Sequence, residues 1–309
     1  MGTQTQERTQ PQPQAVRIGD LSITPLTPHI GGRVEGIDLS GDLSPATISA
    51  IDDAMDHFAV LVFPGQTFDD DSQFAFGARF GKIEDVPTAV DQERRRLANK
   101  QINDITNVGV DGKILPADDR RRMYNLGNRL WHSDSSFKAI PAKYSMLHAR
   151  VVPPHGGATE FADMRAAWDA LPDNLKDMAR DLVCQHSVIF SRQKFGFQEF
   201  TEEEMIRCTP VRQRLVREHE SSGRTSLYLS SHIGRIEGWP VPEALIFIQE
   251  LTEFATQREF VYAHNWTAGD LVIWDNRATM HRVRRYEDKT YPRELRRVTV
   301  EGSSPTIEQ

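Results

Sequence analysis

Gly269-Asp270-Leu271-Val272-Ile273-Trp274-Asp275-Asn276-Arg277, followed by Met280-His281-Arg282, reads as a turn, an apolar strand and a histidine just past its end. A short apolar run between turn formers predicts a strand. The same pattern recurs outward from it. Val60-Leu61-Val62-Phe63, ended by Pro64-Gly65, predicts a buried strand, and residues 144–152 are apolar and alternating. Further strands are expected at residues 227–229, 261–264 and 297–300. Near the N-terminus, Val16-Arg17-Ile18 and Leu21-Ser22-Ile23 alternate around a Gly19-Asp20 turn, and a turn and strand follow from Gly31 to Leu39.

Helices fall between these strands. Ser44-Pro45 pairs an N-cap with proline at the first helical position, and Ile48, Ile51, Met55 and Phe58 follow at helical spacing. Residues 73–80 predict a second helix, closed by Gly81. Asp163 caps a third through Ala166, Ala167 and Ala170. Pro172-Asp173 opens another through Leu175, Met178 and Leu182, and Leu245, Ile248, Leu251 and Ala255 mark one more. The stretch 85–122 is polar, with charge runs at Arg94-Arg95-Arg96 and Arg120-Arg121-Arg122. It predicts one strand, about residues 102–110, between mobile loops that order over a bound substrate. Strands interrupted by helices, without a βαβ rhythm, predict a single α+β domain on a sandwich or barrel.

Composition excludes several classes. The chain has 309 residues, a net charge of -7 and a pI near 5.8, which argues against nucleic acid or an anionic membrane as the main partner. No apolar run approaches the roughly 20 residues of a membrane span. Cys184 and Cys208 form neither a CxxC pair nor a zinc-finger spacing, so two inert thiols are expected. Residues 1–14 are polar, rich in Gln, Thr and Pro, and lack the apolar stretch of a signal peptide. They read as a disordered tail on a cytoplasmic protein. The oligomeric state is left open, a homo-oligomer included.

Trp131-His132-Ser133-Asp134 holds a histidine and a carboxylate two apart. On a strand both point to one face. They supply two ligands of a 2-His-1-carboxylate triad, which a distant histidine such as His281 completes while leaving metal positions open. The spacing alone is weak. With 10 His and 44 acidic residues in 309, chance gives about one such pair, and there is one. Context strengthens it. Beyond His281 stands Arg293, whose planar fork suits a carboxylate, and Arg297 returns to the same face of a strand. A zinc hydrolase built on the same three ligands, or a non-catalytic binding protein, fits less well, because no general base stands beside the ligands as in HExxH.

Taken together, these segments resemble the taurine dioxygenase and 2,4-dichlorophenoxyacetate dioxygenase family of Fe(II)/2-oxoglutarate enzymes. The resemblance runs over about residues 18–300. It is carried by residues 60–66, Leu130-Trp131-His132-Ser133-Asp134-Ser135-Ser136-Phe137, Gly156-Gly157-Ala158-Thr159-Glu160-Phe161, residues 163–167, Trp274-Asp275-Asn276-Arg277 and Arg293-Glu294-Leu295-Arg296-Arg297. Residues 130–137 and 293–297 are closer to the phenoxyacetate branch than to the taurine branch.

The resemblance implies a double-stranded β-helix, or jelly roll, with flanking helices. Residues 16–301 would be a single catalytic domain between a disordered tail of residues 1–15 and a flexible tail of residues 302–309. It implies Fe(II), 2-oxoglutarate and O2 as cofactor and co-substrates. His132, Asp134 and His281 would hold the iron. Thr159 and Arg293 would bind 2-oxoglutarate, and Arg297 would grip the acid group of a small anionic substrate. Asn107 matches a position lining the substrate pocket, and Lys113 and Arg96 fall where the phenoxyacetate branch has basic residues. Arg235 stands where that branch tends to have a pocket histidine. The implied reaction hydroxylates an aryloxyalkanoate to an unstable hemiacetal, which gives a phenol and a 2-oxo acid, with succinate and CO2. A sulfonate, an alkyl sulfate or another small acid is the alternative substrate.

Overall fold

The structure is a computed structural model that describes residues 14–86 and 96–309. The run quoted first, Leu271–Asp275, is a central strand of an eight-stranded sheet. Val60–Phe63 pairs with it on one side and Ala142–Val151 on the other, both antiparallel. Outward from Val60–Phe63 come Gly32–Val34, Leu21–Pro25 and Val16–Ile18. Beyond Ala142–Val151 lie Glu294–Glu301 and Asn103–Thr106.

Both faces of this sheet are covered, which explains the unbroken apolar runs. Leu271 and Ile273 pack with Leu61, Phe63 and Met146 and with Ile51, Met55 and Phe76 of two helices. Val272 and Trp274 pack the other way, with Val60, Val62, Leu147 and Phe161. A strand buried on one face alternates apolar with polar; one buried on both cannot. Each such side chain contributes about 1.5–3 kcal/mol. The first helix, Pro45–Phe58, starts as expected: Ser44 Oγ accepts from Thr47 N at 3.1 Å.

A second, three-stranded sheet carries the site. Thr159–Asp163 lies between Val261–His264 and Thr279–Val283, antiparallel to both. Phe161 joins it to the first sheet, its ring 5.4 Å from that of Trp274. A further sheet, Ile233–Ile236, Val183–His186 and Val211–Arg214, packs under the helix Val241–Ala255 through Ile233, Ile236, Ile248 and Leu251. The expected α+β jelly-roll core with flanking helices is what the chain forms. Among the described residues no helix is long and apolar enough to cross a membrane.

Several boundaries differ from expectation. The second helix is Asp70–Ala78, begun by Asp69 in a capping box with Ser72. The helix opened at Pro172-Asp173 stops at Ala179, short of Leu182. The strand expected at 102–110 is only Asn103–Thr106, because Gly109 to Leu115 fold into a turn in which Gly109 N donates to Lys113 O at 2.7 Å. A helix, Arg120–Asn125, lies inside the triple-arginine run, capped by Asp119. The strand expected at 227–229 is Thr225–Leu227. Residues 302–309 are not a free tail: Thr306 is fully buried, its hydroxyl donating to Gln213 Oε1 at 2.6 Å and accepting from Arg214 N. Residues 1–13 and 87–95, with most of the expected N-terminal tail and with Arg94 and Arg95, lie outside the described residues.

Candidate active site

His132 and His281 face each other across a two-bond bridge. His132 N donates to His281 O at 3.0 Å, and His281 N to His132 O at 2.8 Å. His281 lies past the end of Leu271–Asp275, as expected, within the next strand, Thr279–Val283. Asp134 does not share a strand with His132, as the spacing had suggested. The chain turns after the bridge, with Ser135 in the left-handed region at φ 54°. That turn, not strand alternation, returns the Asp134 carboxylate to the imidazoles. His132 Nε2 stands 3.9 Å from Asp134 Oδ1, and His281 Nε2 3.8 Å from Asp134 Oδ2.

One donor atom from each of the three lies within 4.8 Å of the others. The set fits a divalent metal ion. His132 Nδ1 is bonded to Leu130 O at 2.8 Å, which leaves the Nε2 lone pair for the metal. Burial holds both imidazoles below their ordinary pKa, so they stand neutral as ligands must. Burial also opposes charge on Asp134, but its polar surroundings, the Arg297 guanidinium foremost and the Ser145 hydrogen bond among them, outweigh it and bring its pKa to about 2. Two histidines and one carboxylate select iron-type chemistry with open positions.

The residues that aim Asp134 were not read from sequence. Ser145 Oγ donates to Asp134 Oδ2 at 2.8 Å and accepts from Asn276 Nδ2 at 3.0 Å. Asn276 Oδ1 accepts from both Asp134 N and Trp274 Nε1. The following turn is pinned by Glu84, which accepts from Ser135 Oγ at 2.7 Å and from Lys138 Nζ at 2.8 Å. Asn276 sits in a quoted segment, but its partner Ser145 lies on another strand, and no local spacing connects them.

A cavity opens beside the triad. It is lined by His132, Thr159, Trp274, His281, Arg293 and Arg297, among others. Thr159 Oγ1 accepts from Trp266 Nε1 at 2.9 Å, so its own proton is free to donate. Arg293 is buried without an ion-pair partner among the described residues. Its Nη2 donates to Gly157 O at 3.2 Å, its Nε is unbonded, and burial lowers its pKa to about 10. Such a guanidinium is ready for a carboxylate. Arg297 reaches the cavity too, but its Nη1 donates to Asp134 Oδ1 at 2.5 Å. Asn107 is structural in its contacts: Nδ2 donates to Asp288 O and Tyr291 O, and Oδ1 accepts from Arg293 N at 2.8 Å.

Three expected substrate contacts are not brought to this cavity. Lys113 is exposed in the 109–115 turn. Arg96 spends its charge on Asp104 and Glu294. Arg235 is exposed on Ile233–Ile236, because a bulge between Ile233 and Arg235 shifts the register. The histidine near the metal ligands is instead His232, fully enclosed, 5.9 Å ring to ring from His132 and 4.9 Å from Phe137. A second group, Asp56, His219 and Asp275, has metal-like spacing. Its acid Asp275 is already held by both Arg277 and His219, which marks a salt-bridge network.

Comparison with known proteins agrees with this geometry. Residues 22–299 match the family described as taurine catabolism dioxygenase TauD, TfdA family. The alpha-ketoglutarate-dependent 2,4-dichlorophenoxyacetate dioxygenase of Burkholderia sp. (strain RASC) is 47% identical over 277 residues, 90% of this chain and 93% of its own. The (S)-phenoxypropionate/alpha-ketoglutarate-dioxygenase of Delftia acidovorans is 36% identical over 280 residues, 87% of this chain and 91% of its own. The crystal structure of AAD-2 in complex with Mn(II) and N-oxalylglycine superposes with a TM-score of 0.90 at 52% identity, covering 93% of this chain and 99% of that one. This chain therefore belongs to the TauD/TfdA family, and it is an Fe(II)- and 2-oxoglutarate-dependent dioxygenase.

Proposed function

We propose that this enzyme hydroxylates an aryloxyalkanoate on the carbon bearing the ether oxygen. The hemiacetal so formed breaks into a phenol and a 2-oxo acid, while 2-oxoglutarate leaves as succinate and CO2. The observation that carries the reading is Arg293: a buried guanidinium without an acid partner among the described residues, in one cavity with Thr159 and the two histidines of the triad, His132 and His281. The relatives named for phenoxy acids support the substrate class.

Iron bound at the triad supplies O2 activation coupled to oxidation of 2-oxoglutarate. The protein's own part is positional. Arg293 and the Thr159 hydroxyl hold the far carboxylate of 2-oxoglutarate, and Ser145 and Asn276 keep Asp134 aimed. Trp274 walls the cavity, and fixing the substrate there holds one C–H near the metal position. Arg297 stays beside the metal, and Asn107 acts by holding the backbone of Arg293.

The test is succinate formation by the Fe(II)-loaded protein with ascorbate and 2-oxoglutarate. The panel holds phenoxyacetate, both enantiomers of 2-phenoxypropionate, and taurine. The expected result is succinate with equimolar phenol from an aryloxy acid. Succinate from taurine alone, or none with any of them, removes the aryloxyalkanoate reading.

A further inference from the structure

The Thr159 hydroxyl faces the cavity with its direction set from behind. A threonine hydroxyl can donate or accept, and its proton turns to whichever partner the surroundings leave it. Trp266 Nε1 lies 2.9 Å from Thr159 Oγ1. An indole N–H only donates. Oγ1 must therefore accept from it, and the hydroxyl proton is left to the cavity that Thr159 lines with Arg293.

Trp266 is itself seated by a chain of polar groups. His264 pairs in register with Thr159 across the two strands, which brings the turn after Val261–His264 beside the hydroxyl. The His264 ring meets the Trp266 ring edge to face, at 4.6 Å and 89°. His264 is engaged at both nitrogens, Nδ1 by the Tyr262 hydroxyl at 3.0 Å and Nε2 by Asp270 Oδ2 at 3.1 Å. The same Asp270 oxygen accepts from Thr267 N at 2.9 Å, which fixes the turn that carries the indole. His264 and Asp270 are buried, and Asp270 leads directly into the central strand Leu271–Asp275.

Trp266 is only half-buried, and an indole at such a place can donate to water. Here the N–H is turned inward onto one hydroxyl. Trp266 does not line the cavity, so its reach into the site runs through Thr159.

We propose that Trp266 is a positioning residue that holds the Thr159 hydroxyl as a donor toward the far carboxylate of 2-oxoglutarate. This rests on the assignment of Thr159 to 2-oxoglutarate made above. The indole bond fixes the sense of the hydroxyl before the co-substrate arrives, so less freedom is lost on binding. A donor that itself accepts a hydrogen bond is polarised by it, and the chain from Nε1–H through Oγ1–H to the carboxylate strengthens each link.

The test is a double-mutant cycle on binding. Wild type, Trp266→Phe, Thr159→Val and the double variant are loaded with Mn(II), and 2-oxoglutarate is titrated by calorimetry. Trp266→Phe keeps an apolar ring and removes the N–H. Trp266→Leu serves the same cycle if the phenylalanine variant does not fold. Trp266→Phe is expected to weaken 2-oxoglutarate binding roughly 3- to 10-fold, with Mn(II) affinity as in wild type. In the Thr159→Val background the same change should have no further effect. With Fe(II) and phenoxyacetate, KM for 2-oxoglutarate should rise by more than kcat falls.

Losses that add in the double variant overturn the proposal, because a residue acting through the hydroxyl has nothing left to hold once the hydroxyl is gone. Wild-type affinity in Trp266→Phe beside weakened binding in Thr159→Val also overturns it, and leaves the Thr159 assignment standing. Wild-type affinity in Thr159→Val removes that assignment and the role of Trp266 with it. The cycle reads binding alone, so a failure to oxidise phenoxyacetate removes the proposed reaction without touching this result.

Discussion

Arg297 and Asp134 are joined by a 2.5 Å hydrogen bond from guanidinium to carboxylate, although Asp134 is also the acid of the metal triad. Both side chains are largely buried, at 14% and 5% exposure. The carboxylate therefore has a resident positive partner before any metal arrives. Arg297 balances a ligand as well as lining the cavity.

That pairing makes the Arg297→Met protein depend on metal. Breaking a buried pair by removing one member costs about 3–5 kcal/mol, because the other charge is stranded. Metal-free Arg297→Met should unfold several degrees below wild type. Mn(II) restores positive charge at Asp134, so the rise in unfolding temperature on adding Mn(II) should be larger in the variant. Equal rises in the two proteins would show that Arg297 does not balance Asp134.

Ser145 controls the direction of Asp134, since its hydroxyl donates to Oδ2 while Asn276 donates to the hydroxyl. Loss of such an outer partner typically costs 10- to 100-fold in metal affinity. Ser145→Ala removes one oxygen from a fully buried site and should leave the fold intact. Its Mn(II) dissociation constant, titrated calorimetrically, should rise by about tenfold or more. An unchanged constant would mean that the bridge and turn alone aim the carboxylate.

Much of this was legible because it is local. Leu271 to Trp274 read as a strand, Ser44 and Asp163 as caps, and each forms as expected. The triad comes together, and His132, His281, Thr159 and Arg293 do line one cavity. The failures have physical causes. Arg235 was placed by resemblance alone; here Gly234 admits the Phe190 ring, within 2.3 Å of where a Cβ would stand, the strand bulges, and Arg235 is exposed. A bulge re-aims the side chains beside it, which matched segments do not reveal. The helix at Arg120 was hidden because its charge run has no apolar period. Ser145 acts through Asp134 and Asn276, one of them far along the chain, and spacing carries no trace of such pairs.

Arg293 should show its function as a cost in the absence of ligand. Burial lowers its pKa to about 10 from an ordinary 12.5. The folded protein holds the proton less tightly than the unfolded chain, so stability is reduced fully below pH 10 and recovers as pH rises from 10 to 12.5. At neutral pH the penalty is on the order of 3 kcal/mol. Arg293→Met should therefore raise the unfolding temperature of the ligand-free enzyme by a few degrees while abolishing 2-oxoglutarate consumption. In wild type, 2-oxoglutarate affinity should fall as pH passes 10. A variant that loses both stability and turnover would show Arg293 to be a structural cation.

Asn107 separates positioning from contact. Its amide donates to Asp288 O at 2.8 Å and Tyr291 O at 2.9 Å, and its oxygen accepts from Arg293 N. The side chain thereby ties the 288–291 loop to the start of the strand Glu294–Glu301. Asn107→Ala deletes three hydrogen bonds worth about 1 kcal/mol each and strands buried backbone groups. Stability should drop by about 2–4 kcal/mol in urea. The main kinetic effect should be on 2-oxoglutarate, because the backbone of Arg293 loses its anchor. KM for 2-oxoglutarate should rise roughly tenfold, while KM for phenoxyacetate changes little. The opposite split would restore Asn107 to the substrate wall where the sequence had put it, and would mean that Arg293 is held well enough by its own strand.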